Sequence, residues 1–113
     1  MDSYKIGLFS EWVARIYLRM HGFRIISHRY ITGRNTNRAE IDIIAKRGNL
    51  IIFVEVKHRK NIINAWGTIN PKQISRLRLA AEGFLLRNHW RGDARFDVLI
   101  IHGWHINWIK NAI

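Results

Sequence analysis

Residues 40–57 constrain the fold more than any other part of the chain, because two β-rich runs there flank a short polar break. The runs 40–45 and 50–57 are together rich in Ile, Val and Phe, the residues that suit a pleated surface. Gly48-Asn49 between them is a dipeptide typical of β-hairpin turns. The stretch is therefore predicted to form an antiparallel β-hairpin.

Counting outward from the turn predicts which residues of this hairpin face each other. If Gly48-Asn49 supplies the two central turn residues, Arg47 faces Leu50, and the same register places Asp42 directly opposite Glu55. A four-residue loop with the same centre gives the same pairs. An odd-length loop would not, because a one-residue slip moves every side chain of a strand to the other face.

Strand alternation predicts how the charged side chains of the hairpin are grouped. In the second strand Glu55 and Lys57 share a face. In the first strand Glu40, Asp42 and Ile44 share a face, and the predicted register puts Glu40 opposite Lys57. Acidic residues of both strands, together with one lysine, are thus expected to meet on one side of the sheet.

Two carboxylates that face each other on a half-buried sheet repel unless positive charge lies between them. A hard divalent cation is the usual solution, and Mg²⁺ typically binds one or two carboxylates plus substrate phosphates. Lys57 is placed to position a water or to stabilise charge on a phosphate. The structural alternative is a salt-bridge ladder in which Lys57 neutralises Glu40 and Glu55, but it leaves Asp42 without an obvious partner.

The charge balance points to a polyanionic partner. The 113 residues include 19 Lys and Arg against eight Asp and Glu, a formal net charge of +11. Such an excess opposes compaction and is the electrostatic footprint of a polyanion binder. Nucleic acid is the default partner, and an anionic membrane surface is the weaker alternative.

Composition also narrows the class of protein. The chain has no cysteine, which excludes a disulfide scaffold and thiolate metal sites and fits a cytoplasmic protein. Its first residues open neither a signal peptide nor a lipidation motif, and no apolar run approaches the ~20 residues needed to span a bilayer. The length fits a single domain over residues 1–113.

Apolar residues recur at helical spacing over residues 3–21, predicting a first helix that ends at Gly22. The stripe expected to face the core is Ile6, Phe9, Val13, Ile16, Tyr17 and Met20. A neighbouring row consists of Gly7, Ser10, Glu11, Ala14 and Leu18. The small residues in this row would let the helix approach another element closely. On periodicity alone, Glu11 in that row is interpreted as a solvated charge or a helix-dipole partner.

The remaining elements complete an αβββαββ order. Residues 23–31 are predicted to form a strand and residues 32–38 a loop, and Asn70-Pro71 is typical of the start of a second helix, which ends near residue 88. Strands are predicted over 95–101 and 104–108, with a turn at His102-Gly103. The segment between the hairpin and the strand 95–101 is long enough for a parallel crossover, expected to be right-handed, so the sheet is expected to be mixed.

At this point the residues carry a resemblance. Asp42 with Glu55-Val56-Lys57 resembles the PD-(D/E)xK nuclease signature, and the wider pattern is similar to the YraN-type endonuclease-like family of bacteria. The matching pieces run in order through most of the chain: Ser10-Glu11 with Ala14 and Tyr17-Leu18, Gly22-Phe23, residues 40–44, residues 53–59, Lys72-Gln73 and residues 95–98. Ser10 and Ala39 stand where that family usually has Gly, and the Asp42 strand lacks the Pro that names the motif.

The resemblance implies a restriction-endonuclease-like α/β fold: an αβββαβ core with a mixed central sheet flanked by helices, here with an extra C-terminal strand. It implies a relationship to archaeal Holliday-junction resolvases. It also changes the interpretation of Glu11, since an acidic residue on the first helix completes the metal site in such nucleases. Hydrolysis of DNA phosphodiester bonds with Mg²⁺ or Mn²⁺ is therefore expected, with branched or repair and recombination intermediates as candidate substrates.

Each candidate residue then has an expected role. Asp42, Glu55 and the Val56 carbonyl hold the metal, Glu11 completes the site directly or through water, and Lys57 orients or helps deprotonate the attacking water. The residues expected to contact nucleic acid are Arg34, Arg38, His58, Arg59, Lys60, Lys72, Gln73 and Arg76.

Two alternatives stay open from the sequence. One is a nucleic-acid-binding module that keeps the fold with little or no cleavage. The other is a peripheral membrane or partner-docking protein that uses the same basic surface. A homodimer, in which a second subunit helps to span the substrate, is also left open.

Overall fold

The computed structural model describes residues 2–33, 38–59 and 71–112. Its elements are α1 (Ser3–Met20), β1 (Arg24–Thr32), β2 (Ala39–Arg47), β3 (Leu50–His58), α2 (Pro71–Arg87), β4 (Asp93–His102) and β5 (His105–Ile109). The predicted αβββαββ order is confirmed. The predicted Asn70 cap and the connection that precedes it lie outside the described residues.

The five strands form one sheet in the order β1-β2-β3-β4-β5. The β1–β2, β2–β3 and β4–β5 pairs are antiparallel, and β3 and β4 are parallel neighbours whose connection contains α2. The fold is thus mixed α/β with two helices flanking a mixed sheet, which is compatible with a restriction-endonuclease-like core. In the described part of the chain, neither helix is long and apolar enough to cross a bilayer.

Each helix covers its own set of sheet residues. The α1-side cluster consists of Ala14, Leu18, Phe23, Ile43, Ala45, Ile52, Val54, Leu99 and Ile101. The α2-side cluster consists of Ala39, Ile41, Ile44, Ile51, Phe53, Leu77, Ala80, Ala81, Phe84 and Phe96. Strand β3 contributes alternate residues to the two clusters, as its sequence predicts, so its apolar side chains are buried on both faces of the sheet.

The predicted core stripe of α1 is confirmed only in part, since Val13 and Tyr17 pack against the α1-side cluster. Phe9 and Met20 of that stripe are 52% and 77% exposed, whereas Ser10, Ala14 and Leu18 of the neighbouring row are buried. The row with small residues faces the sheet because short side chains allow the helix backbone to approach the strands closely, where packing density is highest. Glu11, which belongs to that row, is thereby directed toward the sheet instead of toward bulk water.

The β4–β5 hairpin is tighter than the sequence suggested. Trp104 was expected to begin the last strand, but it lies in the turn with Gly103 and is fully exposed. His102 pairs with His105 across this two-residue turn. Gly103 has a φ of +57°, the left-handed conformation that a two-residue hairpin turn requires and that glycine adopts without strain.

A fully buried carboxylate ties the end of the chain to the middle of the sheet. Asp97, with 0% exposure, accepts hydrogen bonds from Arg95 Nε and Nη2 at 2.8 Å each, Trp108 Nε1 at 2.9 Å and the Asn111 backbone N–H at 2.9 Å. Asp97 also pairs with Val54 of β3 in the parallel ladder. One side chain therefore fixes β5 and the C-terminal residues to β4, the strand that pairs with the one bearing Glu55.

Replacing Asp97 with Asn is expected to lower the free energy of unfolding by about 3 kcal/mol. The ion pair with the Arg95 guanidinium loses its carboxylate charge, and the new amide N–H₂ faces groups that are themselves donors. Urea unfolding measures this change. Asp93→Asn on the same strand is the control, since Asp93 is exposed; it should change the free energy by less than about 0.5 kcal/mol. Equal stability of the two variants would contradict the assignment.

Candidate active site

The β2–β3 hairpin has the predicted register. Regular pairing runs from Arg47 opposite Leu50 to Ile43 opposite Val54. The next position by count is Asp42 opposite Glu55, where regular pairing stops although both strands continue. The two carboxylates therefore lie at the point where the ladder between β2 and β3 ends, and the expected Glu40–Lys57 position lies beyond it.

The backbone pattern is also interrupted at Asp42 on its other side. The β1–β2 pairing includes His28 with Ile43 and Tyr30 with Ile41, but not the position between them. Ile41 belongs to the α2-side cluster and Ile43 to the α1-side cluster, although residues two apart in a regular strand share a face. The strict alternation predicted for β2 is therefore wrong at Asp42, because the strand changes face there.

Asp42 uses its side chain where the ladder lacks a backbone partner. Its Oδ2 accepts a hydrogen bond of 2.8 Å from the Val56 backbone N–H. Burial and, after it, the negative charge of Glu55 raise the pKa of Asp42 to about 8, although the Val56 hydrogen bond opposes both effects. Asp42 consequently keeps its proton at neutral pH when no cation is nearby.

Glu55 is buried beside Asp42 and is partly compensated by Lys57. Burial raises the pKa of Glu55, while the Lys57 ammonium, 3.2 Å from Glu55 Oε1, lowers it. The hydrogen bond between Asp42 and Glu55 also lowers the pKa of Glu55, as expected when a protonated carboxyl donates to an ionised one. The ion pair of the ladder hypothesis thus forms at Glu55, but Lys57 does not remove the repulsion at Asp42. Asp42 and Glu55 are called the acidic centre below.

The acidic centre opens into a cavity of about 370 Å³ between the hairpin and α2. The residues that line it are Arg38, Ala39, Glu40, Asp42, Glu55, Lys72, Gln73, Arg76 and Leu77. Arg38, Lys72 and Arg76 are exposed, and we refer to them as the basic rim. Four of the residues expected to contact nucleic acid therefore surround Asp42 and Glu55, two of the four expected metal ligands.

His58 and Arg59, two further expected nucleic-acid contacts, are not among the described residues that line this cavity. His58 and Arg59 follow the acidic centre at the end of β3, where the Arg59 guanidinium donates to the His58 carbonyl at 2.7 Å and the Arg59 backbone N–H donates to Ile101. Arg34 and Lys60 lie outside the described residues. The expected contacts that the structure brings together are consequently those of α2 and the start of β2.

Glu11 lies near the acidic centre but is bonded to another residue. Arg29 donates from Nε to Glu11 Oε1 at 3.4 Å and from Nη2 to Glu11 Oε2 at 3.2 Å. The charge of Glu11 still contributes to the raised pKa of Asp42. Across residues 2–33, 38–59 and 71–112, no three His, Asp or Glu side chains are grouped closely enough to hold one ion. A direct or water-mediated role of Glu11 at a metal stays a prediction.

The sequence patterns did not identify two residues near the site, Glu40 and Arg29. Glu40 was counted only as a partner of Lys57, yet it lines the cavity with the acidic centre. Arg29 lies between the paired residues His28 and Tyr30, so it is level with Asp42. The only available indication was the weak alternation of the first strand, which does not identify an individual residue.

The residues present fit a hard divalent cation. Asp42 and Glu55 offer the oxygen ligands that Mg²⁺ and Mn²⁺ prefer, and the Val56 carbonyl is the third oxygen expected beside them. Their burial and mutual repulsion, expressed in the raised pKa values, are relieved when positive charge binds between them. Lys57 alone leaves that repulsion in place.

The raised pKa of Asp42 predicts how stability depends on pH in chelator. The unfolded carboxyl loses its proton near pH 3.9, whereas the folded one keeps it to about pH 8. Between these values the unfolded state binds fewer protons, so stability falls as pH rises. Asp42→Asn keeps an acceptor for Val56 and removes the titration. By linkage it should be more stable than the wild type at pH 9 by several kcal/mol, up to about 5 kcal/mol, and at pH 4 the difference should vanish.

Thermal melts of both proteins across this pH range measure the effect, with Asp93→Asn as the exposed control that should follow the wild type. Parallel pH profiles for wild type and Asp42→Asn would contradict a buried, repelled carboxyl at this position.

Comparison with known proteins identifies the family. The model of the uncharacterised protein family UPF0102 matches residues 10–101. A UPF0102 protein of Shewanella denitrificans is 39% identical over 110 residues, covering 94% of this chain and 96% of the relative. One of Vibrio cholerae is 37% identical over 120 residues, covering 100% and 95%, and one of Rhodopseudomonas palustris is 39% identical over 101 residues, covering 88% and 75%. The chain therefore belongs to the uncharacterised protein family UPF0102, the YraN-type family that its motifs resemble.

Proposed function

We propose that this protein is a divalent-cation-dependent nuclease that hydrolyses phosphodiester bonds in DNA. The observation that carries the proposal is the acidic centre, beside Lys57, open to a cavity whose rim is basic. Two buried carboxylates that repel each other destabilise a fold, and such perturbed groups concentrate at functional sites. A residue pattern selected only for stability would not bring Asp42 and Glu55 together.

In this function Asp42, Glu55 and the Val56 carbonyl would hold Mg²⁺ or Mn²⁺. A cation bound there lowers the pKa of a bound water and neutralises charge that develops on the phosphate. Lys57, held 3.2 Å from Glu55, orients the attacking water or helps to remove its proton. Glu11 is assigned to complete the site through water, since Arg29 already holds its carboxylate.

The basic rim supplies binding to the phosphate backbone. Lys72 and Arg76 lie in the first two turns of α2, whose first turn contains no acidic residue and whose N-terminal dipole favours anions. With Arg38 they surround the acidic centre on the cavity side. Contacts of this kind give affinity with little sequence preference. We therefore propose DNA of a particular shape as the substrate, with branched intermediates first among the candidates, and a cytoplasmic location.

A nucleic-acid-binding module without efficient cleavage is the second candidate. It is favoured by one observation: Glu11 is paired with Arg29, and no group of three metal-ligating side chains forms within the described ranges. In that case the basic rim would bind nucleic acid, and the acidic centre would no longer support cleavage. Cleavage assays separate the two candidates.

The nuclease function predicts the effects of substitutions on cleavage. Asp42→Asn, Glu55→Gln and Lys57→Met should each lower metal-dependent cleavage at least about a hundredfold, because each removes a ligand or the water-orienting charge. Glu11→Gln should reduce cleavage less. The assay compares branched, flapped and single-stranded DNA with Mg²⁺, Mn²⁺ or chelator. Glu82→Gln, exposed on α2, is the control. Full activity of Glu55→Gln would rule out the site as described.

The basic rim predicts a salt effect on DNA affinity. Binding in chelator should weaken steeply with salt, because cationic contacts release condensed counterions. Lys72→Gln and Arg76→Gln should each flatten the slope of log affinity against log salt by about one. Arg24→Gln is the matched control, since Arg24 is exposed and pairs with Lys46, away from the acidic centre. A slope that none of these changes alters would favour a membrane or protein partner.

A further inference from the structure

We propose that Arg29 is a phosphate-binding residue at the α1 edge of the acidic centre, facing the substrate from the side opposite to the basic rim. This inference rests on the proposed nuclease function and deepens it, because it adds a second cationic wall to the cleft. The substrate class it implies is a nucleic-acid strand held at one phosphate from both sides of the sheet.

The backbone at Arg29 is the first observation. Arg29 has a φ of +55° within strand β1, a conformation that residues with a side chain adopt uncommonly. Glycine or asparagine would occupy this position with less strain. The strand also has a register shift between Ile25 and Ser27, and such irregularities re-aim side chains next to active sites. The strained position therefore carries an arginine whose side chain leaves the regular pattern of the strand.

The position of Arg29 relative to the acidic centre is the second observation. Pairing of His28 with Ile43 and of Tyr30 with Ile41 makes Arg29 level with Asp42. The Arg29 side chain reaches Glu11 on α1, whereas the basic rim belongs to α2 and the start of β2. Because α1 and α2 cover opposite faces of the sheet, Arg29 and the rim approach the acidic centre from different sides.

The unused donors of Arg29 are the third observation. A guanidinium has five N–H donors in a planar fork suited to phosphate, and Glu11 engages Nε and one N–H of Nη2. These bonds, 3.4 and 3.2 Å, are longer than the ~2.8 Å usual for such pairs. The Arg29 side chain is 37% exposed, and Glu11 is its only hydrogen-bond partner in the described part of the chain. Three donors thus remain for a ligand while Glu11 holds the group in place.

The charge around the acidic centre gives these donors a use. Glu40, Asp42 and Glu55 line one cavity and Glu11 lies against Arg29, so a phosphate that approaches these carboxylates needs cationic groups close by. Lys57 is already paired with Glu55. The basic rim offsets this negative charge on the α2 side. Arg29 offsets it on the α1 side while it stays bound to Glu11.

Equilibrium binding of fluorescently labelled branched DNA, in chelator so that no cleavage occurs, tests the inference. Arg29→Gln should flatten the slope of log affinity against log salt by about one, and it should weaken binding most at low salt. Arg24→Gln on the same strand changes the net charge equally and should leave the slope unchanged. Arg29→Lys should restore the slope, and it supplies the comparison if the Gln variant folds poorly.

A second pair of variants separates phosphate binding from a purely structural ion pair. In a Glu11→Gln background Arg29 has no carboxylate to hold, so a structural role would make Arg29→Gln silent toward DNA. Phosphate binding predicts the same flattening of the slope in this background as in the wild type. A silent Arg29→Gln in the Glu11→Gln background overturns the inference, whatever its effect in the wild type.

The same titrations distinguish failure of this inference from failure of the proposed function. If Lys72→Gln and Arg76→Gln flatten the slope and Arg29→Gln does not, only the role of Arg29 is overturned. If none of the three changes the slope, the nucleic-acid interface itself is overturned, and the role of Arg29 with it.

Discussion

Repulsion between two buried carboxylates, Asp42 and Glu55, is the interaction on which the rest of this structure depends. Each has a pKa raised by burial, and neither has enough positive charge beside it to remove the effect. Left alone, such a pair would separate or admit water. It stays closed because β3 lies between β2 and β4 in the sheet, with apolar neighbours covered by a helix on each face. The stability needed to hold the acidic centre therefore comes from the surrounding sheet.

Two sets of hydrogen bonds in the surrounding structure help to hold the acidic centre in place. Asp97, buried with its guanidinium, indole and backbone partners, fixes the end of the chain against the strand next to Glu55. At Asp42 the ladder is interrupted on both sides, and the carboxylate itself takes the Val56 N–H. An unpaired N–H inside the sheet would destabilise it, so the Asp42 carboxylate replaces a missing backbone acceptor. The Val56 hydrogen bond thus fixes the position of Asp42, whereas burial and the charge of Glu55 raise its pKa against the effect of that bond.

Local patterns in the sequence were enough to predict the hairpin, its register and the element order, because turn chemistry and alternation are properties of neighbouring residues. They failed where the outcome depends on elements distant in the chain. Which row of α1 is buried depends on how closely the helix approaches the sheet, and that distance favoured Ser10 and Ala14 over Phe9. The positive φ of Arg29 occurs level with Asp42, where the pairing of β1 with β2 is interrupted, and no pattern within β1 alone predicts that interruption. The resemblance included Asp97, but its bonding became visible only with β5 in place. The nuclease activity itself remains a prediction.

The contrast between an acidic centre and a chain of net charge +11 makes the two proposed ligands depend on each other. A phosphate is attracted by the basic rim and repelled by Asp42 and Glu55 once they ionise. A cation is attracted by these carboxylates and repelled by the rim. Each ligand therefore lowers the electrostatic cost of binding the other, and linkage requires the coupling to be equal in both directions. In the free protein the proton on Asp42 occupies the place of this missing charge, since its pKa is about 8. The proton must leave when a cation binds, which couples metal affinity to pH and keeps the acidic centre nearly neutral until both ligands arrive.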